Sequence, residues 1–499
     1  MDLVSSVFGS IAHWVDIQSL LLFTVLFLLI ADYLKTRRPS SFPPGPWALP
    51  FVGNIFTLLL FFQTSLQLAE TYGDVYSLRM GQTWMVVLNG FQMLKEALVT
   101  QGDSLADRPI LPLQVDISHH LGVIISNGHL WKQQRRFALS TLKYFGVGKN
   151  SLEHAILDEF TYSAKDVTVH KGKRFNPHLI INKTVSNIIC SLVFGHRFEY
   201  EDEWFIELIK RFDNDLYMDR PTPPLLYNSF PLLMRRLPGP HQTVQQFWSE
   251  VKDMIRSEIK EHKKDWNPAE PRDYIDCYLT EIQMRKGDAE STFDEENLVI
   301  CVMDLFAAGS ETTSTTLRWA FLYMAKYPEI QEKVQAEIDR VIGQSRQPSM
   351  MDRANLPYTD AVIHEIQRIG NIVPLSLPHS TNRDIQLGDY TVPKGVVIIP
   401  NLTSVLFDKR EWETPYTFNP GHFLNEEGKF VKRAAFIPFS AGKRVCLGEN
   451  LARMEIFLFF TSFMQQFTFS MPAGTKPVLD FRYGLTLAPA PYEISATLR

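Results

Sequence analysis

Cysteine is scarce in this 499-residue chain, and its four residues, Cys190, Cys277, Cys301 and Cys446, stand far apart. None of the paired spacings of a disulfide framework or a zinc site is present, which fits a reducing compartment. Net charge is only −5, with a pI near 6.2, so there is no global electrostatic attraction to nucleic acid. Internal repeats and low-complexity tracts are absent. So is any glycine-rich fingerprint for a dinucleotide or flavin, and electrons for redox chemistry must therefore come from outside the chain. Long apolar runs are missing with one exception, Leu20 to Ala31. That run lacks the marks of a cleaved leader: no lysine or arginine precedes it, Asp2 is acidic, and no small-x-small site follows.

The run reads instead as a retained membrane anchor. Its apolar core is short against the roughly 20 residues that cross a bilayer, so Ile11 to Ile17 must contribute, with Asp16 near an interface. Lys35, Arg37 and Arg38 follow it, which places the rest of the chain on the cytosolic side. Next comes Phe42-Pro-Pro-Gly-Pro-Trp-Ala-Leu-Pro50, where proline restricts its own and the preceding backbone angles. This predicts a stiff extended spacer. Tyr76 to Leu88 reads as paired strands around Met80-Gly-Gln-Thr83, and Ile385 to Asn401 as further strands. Helical patterning dominates elsewhere: Trp131 to Leu142, Ser151 to Thr168, Ile181 to Val193, Trp248 to Lys264, Asp294 to Lys326, Pro328 to Ile342, Tyr358 to Ile369 and Glu449 to Gln466. The proline-rich stretch from Pro221 to Pro240, carrying Leu232 and Leu233, reads as a membrane-dipping segment or as buried packing. No linker of domain-separating character follows Asn54.

Cys446 sits in Phe439-Ser-Ala-Gly-Lys-Arg-Val-Cys-Leu-Gly448, ahead of a helical run. Cationic neighbours and a helix N-terminus lower a thiol pKa, and glycine lets backbone approach a flat ligand. Taken alone, the loop suits a buried structural cysteine equally well. The spacing of Phe439, Gly442, Arg444, Cys446 and Gly448, however, resembles the haem-binding signature of the cytochromes P-450. The proline-rich stretch is similar to the hinge of the microsomal members.

The remaining motifs agree. Ala308-Gly-Ser-Glu-Thr-Thr313 lies midway along a helix that starts at a capping-box pattern, Thr292-Phe-Asp-Glu295, and ends before Pro328. Glycine and back-bonding hydroxyls predict a loosened turn with a groove at Ala308. By itself this is a small-residue packing patch, but it resembles the family's oxygen-binding helix. That resemblance implies Thr312 as the hydroxyl that orders oxygen and water and Glu311 as the link to solvent protons. Glu365-Ile-Gln-Arg368, alone a surface pair, resembles the family's Glu-x-x-Arg brace, with Arg368 expected to contact Phe418 to Phe423. His422 departs from the family's frequent arginine there. Trp131 and Arg135, one helical turn apart, together with Arg444, His379 and Arg108, correspond to the family's contacts with the haem propionates.

The whole chain is similar to the J subfamily of P-450 family 2, as in Ser186-Asn-Ile-Ile-Cys190, Leu237-Pro-Gly-Pro-His-Gln242, Lys264-Asp-Trp-Asn-Pro-Ala-Glu270 and Tyr327 to Glu337. The resemblance implies a mainly α fold with small β-sheets (α+β): an anchor over 1–34, a basic and proline-rich hinge over 35–54, and one haem-thiolate catalytic domain over 55–499. It implies haem b, with O2 and NADPH-derived electrons, and monooxygenation of polyunsaturated fatty acids such as arachidonic acid at the endoplasmic reticulum membrane. Implied partners are NADPH-cytochrome P-450 reductase, docking on Lys132, Arg136, Lys143, Lys432, Arg433 and Lys443, and cytochrome b5. Ile117, Val123, Asp304, Phe306, Ala308, Val373, Leu377 and Leu485 correspond to an apolar pocket. A xenobiotic or steroid monooxygenase, a reductase-independent peroxide isomerase and a haem sensor are the alternatives.

Overall fold

The computed structural model describes residues 17–216, 222–472, 474–475, 478–484 and 486–499. Ile11 to Asp16, Pro221 and the pocket residue Leu485 lie outside them. Helix makes up about 54% of the chain. The helices used below are α1 (Ile17–Lys35), α2 (Gly128–Tyr144), α3 (Asn150–Thr168), α4 (His178–Val193), α5 (Pro240–Asp265), α6 (Tyr274–Met284), α7 (Glu295–Lys326), α8 (Pro357–Gly370) and α9 (Glu449–Gln466). Strands β1 (Val75–Met80), β2 (Thr83–Leu88), β3 (His379–Ser380) and β4 (Val397–Pro400) form one sheet in the order β1-β2-β4-β3. Within this sheet, among the described residues, only β2 and β4 pair in parallel.

The predicted helices and strands are present with small shifts of boundary. The largest is at α5, which begins at Pro240 rather than Trp248. The long helix α7 does not use the predicted cap. Asp294 is its N-cap and accepts from the Asn297 N–H at 2.8 Å, while the Thr292 hydroxyl donates to Gln133 of α2 at 2.8 Å. Aspartate adjacent to the first turn wins because its carboxylate reaches the free N–H groups directly. Along α7 nearly every side chain outside the 308–310 segment is buried, and α3, α4, α7 and α9 share one apolar core. At Gly309 a Cβ would sit 2.4 Å from Ile189 Cδ1. A methyl there would press on the tip of the Ile189 side chain of α4, and α7 is helical without interruption from Glu295 to Lys326.

Helix α1 contains an 18-residue window, Gln18–Lys35, with mean hydropathy 1.6 and only 6% of it buried. At 1.5 Å per residue it measures about 27 Å, close to a bilayer's hydrocarbon thickness. The spacer after it is not free. Ser77 of β1 donates its N–H to Pro44 O at 2.6 Å and its hydroxyl to Pro43 O at 2.8 Å, and a Cβ at Gly45 would lie 1.9 Å from Ser77 O. Proline keeps this segment extended, and an extended segment beside a strand edge finds its hydrogen bonds there.

Candidate functional site

The cysteine loop closes on itself. Cys446 N–H donates to Phe439 O at 3.1 Å across a 3-10 turn, Gly442–Arg444, and the Arg453 guanidinium lies 4.9 Å from the Phe439 ring centre. Gly442 has φ +78°, and a Cβ there would stand 1.8 Å from Leu98 O. Its glycine is demanded by packing against the π-turn Glu96–Thr100, where the expectation was approach to a flat ligand. Gly448 has ordinary φ, and a Cβ on it would meet only Cys446 Sγ, at 3.9 Å.

Cys446 lies deep in the molecule, yet its side chain is not covered by other residues. Burial pushes its thiol up. The N–H groups of Gly448 and Glu449 and the Arg135 guanidinium favour the thiolate, and the Glu449 carboxylate opposes it. The helpful cation thus comes from α2, not from the neighbours in sequence. Lys443 is exposed and paired with Asp103 at 3.2 Å, and Arg444 turns away to Ala106 O and Ser126 O, each at 2.6 Å.

Three guanidiniums converge beside this loop. Arg135 Nη2 donates to Val445 O at 2.6 Å, Arg108 donates to Leu377 O and Pro378 O at 2.9 Å, and Arg444 stacks 3.8 Å above the Trp131 ring. Burial and then mutual repulsion lower Arg108 to about 10 and Arg444 to about 8. His379, held by Leu105 O at 2.6 Å, falls to about 3 through burial and the same arginines. Among the described residues none of the three arginines has a carboxylate within ion-pair distance, and the buried Trp131 Nε1 has no hydrogen-bond partner. A donor set of this kind fits a ligand bearing two acid groups, and Cys446 supplies a sulfur for its metal. Trp131, Arg135, Arg444, Arg108 and His379 would hold haem propionates, and Cys446 would supply the sulfur that binds its iron.

On α7 the Thr312 hydroxyl donates to Ala308 O at 2.8 Å, as expected, and Thr316 does the same to Thr312 O at 2.9 Å. Glu311 lies away from the surface. It is 5% exposed, and its Oε1 accepts from the hydroxyls of Thr315 (2.9 Å) and Thr486 (2.8 Å), so it faces inward along a hydroxyl chain instead of meeting solvent directly.

Of the pocket residues, Ile117, Val123, Ala308, Val373 and Leu377 are apolar and Ala308 lies four residues before Thr312, on the same face. Two depart. The Asp304 carboxylate accepts from the N–H groups of Val123 (2.8 Å) and Ile124 (3.0 Å), and burial raises it to about 7 against those bonds. It fastens the 122–124 segment to α7. Phe306 is two residues on, near the opposite side of the helix, and packs in the core against Phe194 at 6.4 Å.

Glu365 and Arg368 on α8 are wholly buried and joined by two bonds of 2.7 Å. Arg368 also holds the carbonyls of Leu406 and Pro415 at 2.7 Å and Thr417 at 3.3 Å. The 418–423 segment, expected to bind Arg368, is held by Glu365, which accepts from Asn419 N–H at 2.9 Å and His422 Nδ1 at 3.1 Å. His422 Nε2 accepts the Thr414 N–H at 3.2 Å, which makes Nδ1 the protonated nitrogen. A neutral histidine therefore completes this network without arginine's charge.

One residue escaped the motif reading. Glu455 of α9 is 1% exposed and neither oxygen has a hydrogen-bond partner. Burial lifts it to about 8, and the Thr313 hydroxyl of α7, near it without making a full hydrogen bond, offsets this in part. The signal was a lone acid inside Met454 to Phe460, an otherwise apolar run. In the native protein it carries a proton between pH 4.5 and 8 that the unfolded chain has lost. Stability should fall across that window by up to about 1.4 kcal/mol per pH unit. Urea unfolding at pH 5.5 and 7.5 should show the slope reduced in Glu455→Gln. An unchanged slope would assign it to other groups.

The Cytochrome P450 family model matches residues 43–496. Cytochrome P450 2J2 of Homo sapiens is 52% identical over 482 residues, 96% of either chain. Cytochrome P450 2J1 of Oryctolagus cuniculus is 49% identical and Cytochrome P450 2J5 of Mus musculus 47%, each over 99% of both chains. The family works with haem b, O2 and NADPH-derived electrons. With the cysteine loop, the arginine cluster and the buried Glu365–Arg368 brace in place, this chain belongs to the cytochrome P450 family, as a haem-thiolate monooxygenase of microsomal family 2 and its J subfamily.

Proposed function

We propose that this chain is a membrane-anchored monooxygenase that epoxidises and hydroxylates polyunsaturated fatty acids such as arachidonic acid. The observation that supports the substrate class is the state of Asp304: its Oδ2 accepts the Val123 and Ile124 N–H groups. Ile117, Val123, Val373, Leu377 and Ala308 then present an uncharged wall that suits a hydrocarbon tail. When bound, haem b supplies the oxygen-activating chemistry, with sulfur donation favouring O–O cleavage. Trp131, Arg135 and Arg444 orient it by its acid groups, with Arg108 and His379 beside them, while Phe439, Gly442 and Gly448 shape the loop under it. Thr312 Oγ1 is the hydroxyl that orders water on the oxygen side, and the Glu311, Thr315 and Thr486 chain moves protons to it.

Electrons come from NADPH through a flavoprotein reductase on the exposed cations Lys132, Arg136, Lys143, Lys432, Arg433 and Lys443, with cytochrome b5 as a second donor. The domain division is an anchor over 1–34, a hinge over 35–54 and a catalytic domain over 55–499. The anchor keeps the catalytic domain on the cytosolic face of the endoplasmic reticulum, and the exposed Leu232 and Leu233 reach the lipid beside it.

The purified protein with reductase and NADPH should convert arachidonic acid to epoxides and hydroxylated products within a panel of lipids, steroids and drugs. Thr312→Ala should keep substrate binding while diverting most reducing equivalents to peroxide or water. Turnover without NADPH would support a peroxide isomerase, and unchanged coupling in the variant would remove Thr312 from its role.

A further inference from the structure

The apolar helix α1 ends in a polar lock. Asp32 is 6% exposed, Thr36 8% and Arg79 of β1 3%. The Asp32 carboxylate lies 3.5 Å from Arg79 Nη2 and also accepts the Phe51 N–H at 3.1 Å. Arg79 further donates to the Thr36 hydroxyl and, at 2.5 Å, to Leu49 O. Its backbone is held in turn by Asn54, whose Oδ1 accepts Arg79 N–H at 2.8 Å and whose N–H donates to Arg79 O at 2.6 Å. Three parts of the chain far apart in sequence, the last turn of α1, the 47–54 segment and the central sheet, thus meet at one buried ion pair.

We infer that the Asp32–Arg79 pair locks the anchor helix to the central sheet, so that helix and body form one rigid unit and the tilt of the body on a lipid bilayer is set by the fold. The inference rests on the membrane-anchored reading of α1. A free tether would leave the body to roll on the membrane, whereas a docked helix allows one pose. In that pose the exposed Trp47, Phe56 and Leu60 and the half-exposed Phe51, all within the segments that frame the lock, form one bilayer-facing surface with Leu20 to Ile30 of α1. The occupant is lipid because, among the described residues, nothing covers the apolar side chains of α1, the helix the lock fastens to this segment. An ion pair is apt here. Removal of one partner strands the other charge in a buried site, so the docked state is favoured over partial opening. It also resists the pull of the bilayer on Asp32, which would otherwise face the headgroups bare.

The test uses the full-length holoprotein in phosphatidylcholine nanodiscs, with spin-label amino acids at Leu22 on α1 and Gln82 in the turn between β1 and β2. Pulsed dipolar spectroscopy should give one narrow distance distribution. Asp32→Leu and the milder Asp32→Asn should lose it for a broad one, while flotation with phosphatidylcholine vesicles and the carbon monoxide spectrum stay as in the unaltered protein. A broad distribution in the unaltered protein, or a narrow one retained in both variants, would overturn the lock. Failure of the unaltered protein to float would overturn the anchoring reading, and with it the bilayer-facing pose, whatever the distances.

Discussion

Cys446→Ala should fold and lose the carbon monoxide difference band of a thiolate-bound haem entirely. The loop around it does not depend on sulfur: Cys446 N–H still reaches Phe439 O, and Arg135 still holds Val445 O. What disappears is the one ligand atom. The other three thiols cannot substitute. Cys190 and Cys301 are buried in the apolar core, where burial pushes both far up, and Cys277 on α6 is driven to about 12 by burial and the acids Asp273 and Asp276. Cys446 alone combines an uncovered side chain with two backbone N–H groups and an arginine aimed at it. A coordinated cation would reverse the burial cost that holds its thiol up, because thiolate and metal charge neutralise one another. Visible spectroscopy of reduced, carbon monoxide-treated protein reads the result. A band retained at the thiolate position would reject Cys446 as the ligand.

Arg368→Leu should destabilise the fold by roughly 3–5 kcal/mol and release haem, although Arg368 touches no part of the cysteine loop. Substitution removes both bonds to Glu365 and strands its carboxylate at zero exposure with the Asn419 N–H and His422 as remaining donors. It also frees the carbonyls of Leu406, Pro415 and Thr417, which anchor the irregular chain before the loop. Buried backbone acceptors without partners cost on the order of 1–3 kcal/mol apiece where water cannot reach them. Arg368→Lys should recover only part of the loss, since an ammonium cannot serve a bidentate carboxylate and three carbonyls at once. Urea midpoints and haem retention on gel filtration measure both variants. A cost below about 1 kcal/mol, the range of an exposed pair, would show that the brace does not hold this region.

Periodicity and turn chemistry are local, and what they control was readable in advance. The capping aspartate before α7 and the proline after it, apolar spacing along α4 and α9, the strand pair around Gly81 and the apolar stretch of α1 each settle their own conformation within a few residues. The cysteine loop was legible for the same reason, since ten consecutive residues carry its turn, its glycines and its cysteine. Partner choice is not local. Lys443 and Arg444 are next to Cys446 in sequence, yet Arg135, about 310 residues earlier, is the cation that favours its thiolate. Asp304 looked like a charged pocket residue until the 122–124 backbone claimed both its bonds, and Glu365 took the segment expected for Arg368.

By itself the sequence determined the helices, the strand pair, the apolar helix α1 and the turn of the cysteine loop, because short-range sterics and hydrophobic spacing decide them. Only the tertiary structure decided which charges are spent on backbone, which remain for a cofactor, that Glu455 is sealed without a partner, and that Asp32 meets Arg79. Those outcomes depend on burial and on contacts between residues well separated in sequence, where desolvation makes an unpaired charge costly: it draws Asp32 to Arg79 and keeps Glu455 protonated.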